Sequence, residues 1–196
     1  MMKKLTYVCS VIISLLIVIS CADKSAKTQY EELPFYGGFE SMEQWGEHLV
    51  TIADCNVCHT PKKMTSHGPV LDSTRLFSGH PAAMPKIDST YNDIAMKGLT
   101  LTMDLTEWMG PWGTSYAANL TPDETGIGNW TEEQFMYAIR NGKFKGLPGS
   151  RSLLPPMPWE MYRFMTDGEL KAIFTFLKTI KPIQNVVPPA VIRGME

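Results

Sequence analysis

Apolar side chains recur at helical spacing in three stretches of the chain. Each stretch follows a residue that can accept a hydrogen bond from the first turn of a helix, namely Ser41, Thr131 or Thr166. The pattern therefore predicts three helices with one buried face each. The residues on these faces are Trp45, Leu49 and Ile52 in the first helix, Ala138 and Ile139 in the second, and Leu170, Ile173, Phe174 and Leu177 in the third.

A different period occupies residues 99–105, where Leu and Met alternate with Thr and Asp. Strict alternation is typical of a strand with one buried face. The turn-forming sequence "WMGPWG" follows, and residues 114–120 can return as the partner strand. Residues 60–98 have no long period and are predicted to form loops and short turns. The expected fold class is all-α, with a small β-hairpin inserted between the first helix and the later ones.

The first 20 residues have the layout of an export signal, with a short basic start followed by an apolar run that ends at Cys21. The junction "VIS-C" resembles a bacterial lipobox, which implies cleavage before Cys21 and attachment of lipid to it. The alternative is an uncleaved membrane anchor. Either interpretation predicts a protein held at a membrane with its body outside the cytoplasm, the periplasmic side in a bacterium with two membranes. Residues 21–39 are expected to be a tether.

Composition restricts the remaining possibilities. The chain of 196 residues suits one domain, which we expect to span residues 40–182 with a C-terminal tail at 183–196. Its formal net charge of −2 gives no basic face of the kind that binds nucleic acid. Of the four cysteines, only Cys55 and Cys58 lie in the predicted domain.

These two cysteines belong to the sequence "CNVCH", which ends in His59. On a helix the residues Cys55, Cys58 and His59 share one face. Two thiols at this spacing can bond to the two vinyl groups of one haem, and the adjacent imidazole can then bind the iron. A zinc site would require further ligands at similar spacing. A thioredoxin-like redox site or a structural disulfide would leave His59 without a role. The motif therefore predicts covalent haem c, one per chain.

An electron carrier needs a second axial ligand for the iron. Met157 is the favoured candidate because it stands in "LLPPMPWE", where three prolines stiffen the loop around it. The alternatives are Met161, Met165 or a histidine. Among the histidines, His48 is interpreted as an ordinary helix residue and His80 as a turn residue with a local hydrogen bond.

With these motifs in place, residues 40–182 resemble a class I c-type cytochrome domain. The stretches "ANLTPDETGIGNWTEEQFMYAIRNGK" and "LLPPMPWEMYRFMTDGELKAIFTFLKTIKP" are similar to single-haem domains of periplasmic dehydrogenase cytochrome subunits. The resemblance implies that His59 and Met157 bind the iron. Residues 62–118, named segment 62–118, are longer than the corresponding part of the smallest carriers. We expect this segment to wrap the haem edges or to meet a partner.

The sequence thus predicts a membrane-anchored, single-haem electron carrier rather than an enzyme, with redox proteins such as a dehydrogenase or a respiratory complex as partners. Histidine–methionine ligation would raise the reduction potential of such a haem. Two further hypotheses remain. The chain could be the electron-accepting subunit of a separate dehydrogenase, or a haem-based sensor in which Met157 leaves the iron to admit a small ligand.

Overall fold

A computed structural model describes residues 36–194 of the chain. The predicted signal peptide, Cys21 and most of the predicted tether lie outside the described residues. Six α-helices occur in the described part: α1 (Met42–Ile52), α2 (Cys55–His59), α3 (Asn92–Met96), α4 (Glu132–Asn141), α5 (Trp159–Tyr162) and α6 (Asp167–Thr179). Three 3-10 helices accompany them, at Ser73–Arg75, Ser89–Tyr91 and Phe144–Gly146. No helix among residues 36–194 is long and apolar enough to span a membrane.

The all-α prediction is wrong, because 36% of the described residues are helical and 13% form strands. Strands β1 (Lys62–Thr65) and β2 (Gly68–Leu71) make one antiparallel hairpin, which the sequence did not predict. Strands β3 (Glu107–Gly110), β4 (Gly113–Tyr116) and β5 (Val191–Ile192) make a second antiparallel sheet. Both hairpins lie in segment 62–118, so this segment, rather than the helical body, changes the fold class.

The predicted hairpin in segment 62–118 exists, but its first strand was predicted at the wrong place. The strand is Glu107–Gly110, and within the predicted stretch only Leu101 forms a bridge, with Met109. Leu105 has a positive φ of 67°, which breaks the extended backbone. The side chain of Met103 is 74% exposed, so the alternation does not correspond to a buried face. The tight turn between Gly110 and Gly113 sets the register instead.

The predicted capping residues begin the three main helices. Ser41 accepts a hydrogen bond from the backbone of Gln44, and Thr131 accepts one from Gln134. Thr166 forms a complete capping box with Glu169, because each side chain accepts from the other residue's backbone N–H. Each cap satisfies a backbone group that helix geometry leaves without a partner.

The core lies where α1 packs on α6 and where α4 covers their other side. Gly46 permits the close approach of α1 to α6, because a Cβ atom there would collide with the backbone carbonyl of Ala172. The buried members of this core are Trp45, Leu49, Val50, Phe77, Ile127, Phe135, Ala172, Ile173, Phe174 and Leu177. Phe77 and Ile127 come from loops, so the core also anchors the chain on either side of the second sheet.

The C-terminal residues take part in the fold. Strand β5 pairs with β4. The side chain of Asn185 is buried, and its amide donates hydrogen bonds to the carbonyls of Ser78 and His80 at 2.7 and 2.9 Å. The predicted tail therefore holds the loop around His80 against the body of the protein.

Candidate haem-attachment site

The cysteine motif forms its own short helix at a break in the chain. Helix α1 ends at Ile52, and Asp54 adopts a left-handed conformation with φ of 55° before α2 begins at Cys55. The left-handed residue turns the chain, so the motif does not continue α1 as the sequence interpretation assumed. Within α2, Cys55, Cys58 and His59 lie on consecutive turns of one helix, which is the predicted juxtaposition.

Both thiols are unpaired and partly buried. Burial raises the pKa of Cys55 to about 12, with a smaller contribution from nearby Cys58. Burial also raises the pKa of Cys58. The two groups are therefore neutral thiols and not a disulfide. No cluster of three or more His, Cys, Asp or Glu side chains in the described part of the chain could hold a metal ion, which leaves the zinc alternative without support there.

His59 is oriented by a single hydrogen bond. Its Nδ1 lies 2.8 Å from the backbone carbonyl oxygen of Ala118. Since a carbonyl can only accept, Nδ1 must carry the proton, and Nε2 then presents a lone pair. Burial lowers the pKa of His59, which keeps the ring neutral. A neutral imidazole with Nδ1 bonded in this way is the usual arrangement of a histidine that binds a metal through Nε2.

Met157 lies in the proline-framed loop and is partly buried. Its backbone N–H donates to the carbonyl of Leu154 at 3.2 Å. The hydroxyl of Ser115, at the end of β4, donates to the carbonyl of Pro155 at 2.5 Å. Segment 62–118 therefore anchors the loop two residues before Met157, a contact for which the sequence carries no signal.

Tyr162 connects the loop of Met157 to the attachment motif. This residue ends α5, which begins two residues after Met157, and its hydroxyl donates to the carbonyl of Ala53 at 2.5 Å. Burial raises the pKa of Tyr162 to about 12, and the nearby thiols of Cys55 and Cys58 contribute. The phenol is therefore protonated and able to donate. The structure thus brings the two predicted halves of the site to the same end of α1.

Lys62 closes the other end of the attachment helix. Its ammonium donates to the carbonyls of Val57 and Thr60, the latter at 2.8 Å. These carbonyls are left without helical partners at the end of α2, and a cation there is favourable. The sequence analysis missed Lys62, although a lysine within three residues of a helix end is a recognisable signal.

The alternative iron ligands occupy other positions. Met161 is 68% exposed, and Met165 packs against the hydrophobic core. His48 and His67 are exposed on the surface. His80, interpreted as a turn residue, is fully buried, and its Nδ1 lies 2.8 Å from the hydroxyl of Thr106.

No protein-family model matches the chain. The chain is 28% identical over 145 residues to the fructose dehydrogenase cytochrome subunit of Gluconobacter japonicus, which covers 73% of this chain and 22% of that protein. It is 29% identical over 153 residues to the cytochrome c subunit of the quinone alcohol dehydrogenase of Gluconobacter oxydans, covering 76% and 24%. It is also 34% identical over 151 residues to a nicotinate dehydrogenase protein of Pseudomonas putida, covering 76% and 9%.

The resemblance to dehydrogenase cytochrome c subunits is confirmed. These relatives support haem c as the cofactor, and the two unpaired thiols and the oriented imidazole of α2 fit it. The relatives are consistent with an electron-carrier subunit rather than an enzyme that acts alone. The chain spans a quarter of the length of these relatives or less, so it corresponds to one part of them.

Proposed function

We propose that this chain is a single-haem c-type cytochrome that accepts electrons one at a time from a dehydrogenase partner outside the cytoplasm. The observation that carries the proposal is the geometry of α2, which presents two thiols and an imidazole whose Nδ1 donates to Ala118. The similarity to cytochrome subunits of dehydrogenases supports an electron-accepting role within a complex over a free carrier.

In this proposal each residue of the site has one role. Cys55 and Cys58 hold the haem covalently, and His59 binds the iron through Nε2. Met157 is the second axial ligand, and the anchors from Ser115 and Tyr162 on either side of it support that role. When bound, the haem supplies one-electron chemistry at its iron. The protein contributes attachment, orientation and exclusion of water.

Partner docking is proposed at the exposed apolar side chains beside the attachment helix. Ile52 is 62% exposed and lies three residues before Cys55, and Val57 stands between the two cysteines with 38% exposure. Met161 and Phe164 flank Tyr162 and are 68% and 79% exposed. Exposed apolar groups in one region commonly mark a protein interface. This surface lies next to the thiols, where an electron entering the haem travels the shortest distance.

The first experiment purifies the native protein from membranes and records its haem spectrum together with the proteins that accompany it. The proposal predicts one haem per chain, bound covalently, and a dehydrogenase subunit in the preparation. In the Cys58→Ser variant we expect at most one thioether. A wild-type protein without covalent haem would refute the proposal.

The second experiment tests the docking surface with the purified dehydrogenase as electron donor. Val57→Lys and Met161→Glu should each slow reduction of the haem about tenfold, the factor that corresponds to ~1.4 kcal/mol of docking energy. Leu99→Lys is the matched control, because Leu99 is exposed in segment 62–118 and not beside the thiols. Equal slowing by all three variants would contradict the proposed location.

Membrane attachment through lipid on Cys21 is a separate part of the proposal. Cys21→Ser should release the protein from membranes into the soluble fraction, because several acyl chains are needed for lasting attachment. Retention of this variant on membranes would favour the uncleaved anchor. The sensor hypothesis is tested by adding carbon monoxide to the reduced protein, which a carrier with a firmly held Met157 should bind slowly.

A further inference from the structure

The carbonyl of Ala118 orients His59, and the neighbouring residue Ala117 is held from two directions. The N–H of Ala117 donates to the carbonyl of Thr106 at 2.8 Å. The carbonyl of Ala117 accepts from the N–H of His80 at 2.9 Å. Thr106 and His80 therefore fix both backbone groups of the residue that precedes Ala118.

Side chains of the same two residues close the arrangement into a triangle. Nδ1 of His80 lies 2.8 Å from Oγ1 of Thr106. The hydroxyl of Thr106 donates to Oδ1 of Asp104 at 2.7 Å, and its backbone N–H donates to the same oxygen at 2.9 Å. A hydroxyl has only one proton, so Oγ1 of Thr106 must accept from His80. His80, Thr106 and Ala117 are thus joined pairwise by three hydrogen bonds.

The position of His80 is energetically expensive. Its side chain is fully buried, and within residues 36–194 its Nε2 has no hydrogen-bond partner. Burying a polar nitrogen without a partner is unfavourable, whereas an apolar side chain would fill the space without that cost. The polar triangle accounts for the presence of an imidazole there.

The loop that carries His80 also touches the backbone of the proposed iron ligand. The N–H of Gly79 donates to the carbonyl of His59 at 2.8 Å. Gly79 has a positive φ of 73°, and a Cβ atom there would lie 2.5 Å from the carbonyl oxygen of Ala117. Only glycine therefore allows the loop to pass between His59 and Ala117.

We propose that His80, Thr106 and Asp104 are positioning residues that hold the Ala118 carbonyl on Nδ1 of His59. This inference rests on the proposed binding of haem iron by His59. It gives segment 62–118 a role, because the segment then supports the proximal ligand from behind. A firm Nδ1–H···O bond makes the imidazole a stronger electron donor to iron, so the triangle acts on the reduction potential.

The test follows the Nδ1 proton of His59 by NMR in the reduced, haem-loaded full chain. In His80→Ala and Thr106→Val we expect about tenfold faster exchange of this proton with solvent, because local opening of the Ala118 contact becomes easier. The reduction potential should rise in the same variants, because the imidazole donates less to the iron. Thr106→Ser retains the hydroxyl and His80→Asn retains a donor, so both should restore wild-type exchange.

A control separates positioning from general destabilisation. Met109→Ala removes a buried apolar side chain from β3, which weakens the same segment without removing a polar group of the triangle. Its exchange rate and potential should match the wild type. Faster exchange in Met109→Ala, or wild-type exchange in Thr106→Val, overturns the inference while leaving haem ligation intact. If wild-type protein shows no Nδ1 proton of an iron-bound His59, the proposed function fails with it.

Discussion

Removal of the Tyr162 hydroxyl tests whether the two halves of the site are coupled. In Tyr162→Phe the carbonyl of Ala53 loses its 2.5 Å hydrogen bond, while the ring still fills its place. A hydrogen bond of this kind contributes about 1 kcal/mol net, and leaving a half-buried carbonyl without a partner costs about 1–3 kcal/mol. We therefore expect α5 to be held less firmly, by about 1–2 kcal/mol.

This loss should appear in the stability of the Met157–iron bond. At high pH a stronger base displaces a methionine ligand, and a loop that is held less firmly gives way at lower pH. Because one pH unit corresponds to ~1.36 kcal/mol, the midpoint of displacement should fall by about one unit. The absorbance band of methionine-to-iron charge transfer measures this midpoint in the oxidised protein.

The matched control is Tyr91→Phe, which removes a hydroxyl from a tyrosine that is 48% exposed in segment 62–118. Its midpoint should equal that of the wild type. An unchanged midpoint in Tyr162→Phe would show that the contact with Ala53 does not support Met157, and the reasoning would be refuted.

Individual contacts lead to three further predictions. Met157→Ala should lose the charge-transfer band, and survival of the band in its absorption spectrum would assign the ligand elsewhere. Gly46→Val should lower the free energy of unfolding by at least about 1–3 kcal/mol in denaturant titrations, because its Cβ would collide with the carbonyl of Ala172; an equal stability would contradict the close helix contact. Hydrogen bonding from Lys63, first, and from Thr74 lowers the pKa of Asp72 to about 2, so its stabilising effect is present above the ordinary carboxyl pKa and is lost as pH falls towards about 2. Lys63→Gln should flatten this loss between about pH 4 and 2 in thermal unfolding, and an unaltered acid profile would argue against the ion pair.

Features that depend on neighbours along the chain could be predicted from the sequence. The caps at Ser41, Thr131 and Thr166 begin helices in the structure because a capping side chain and its N–H donor are only three residues apart. The spacing within "CNVCH" places its thiols and imidazole on one short helix for the same reason. The resemblance to cytochrome domains followed from these local motifs.

Sheet formation in segment 62–118 was harder to predict. The alternation at residues 99–105 indicated a strand, but Leu105 breaks the extended backbone and the pairing begins at Glu107. Strands are stabilised by their partners, and a short segment contains no information about which partner it will meet. The first hairpin, β1–β2, has mostly exposed side chains, so no hydrophobic pattern marks it.

By itself the sequence determined the attachment helix, the helix starts and the candidate ligands His59 and Met157, because these depend on residue type and short spacing. Only the tertiary structure decided what orients them. The carbonyl of Ala118, the hydroxyl of Tyr162 and the bond between His80 and Thr106 act across 59, 109 and 26 residues of sequence, respectively. A backbone carbonyl is present at every position, so it leaves no mark in the sequence until folding brings it to its partner.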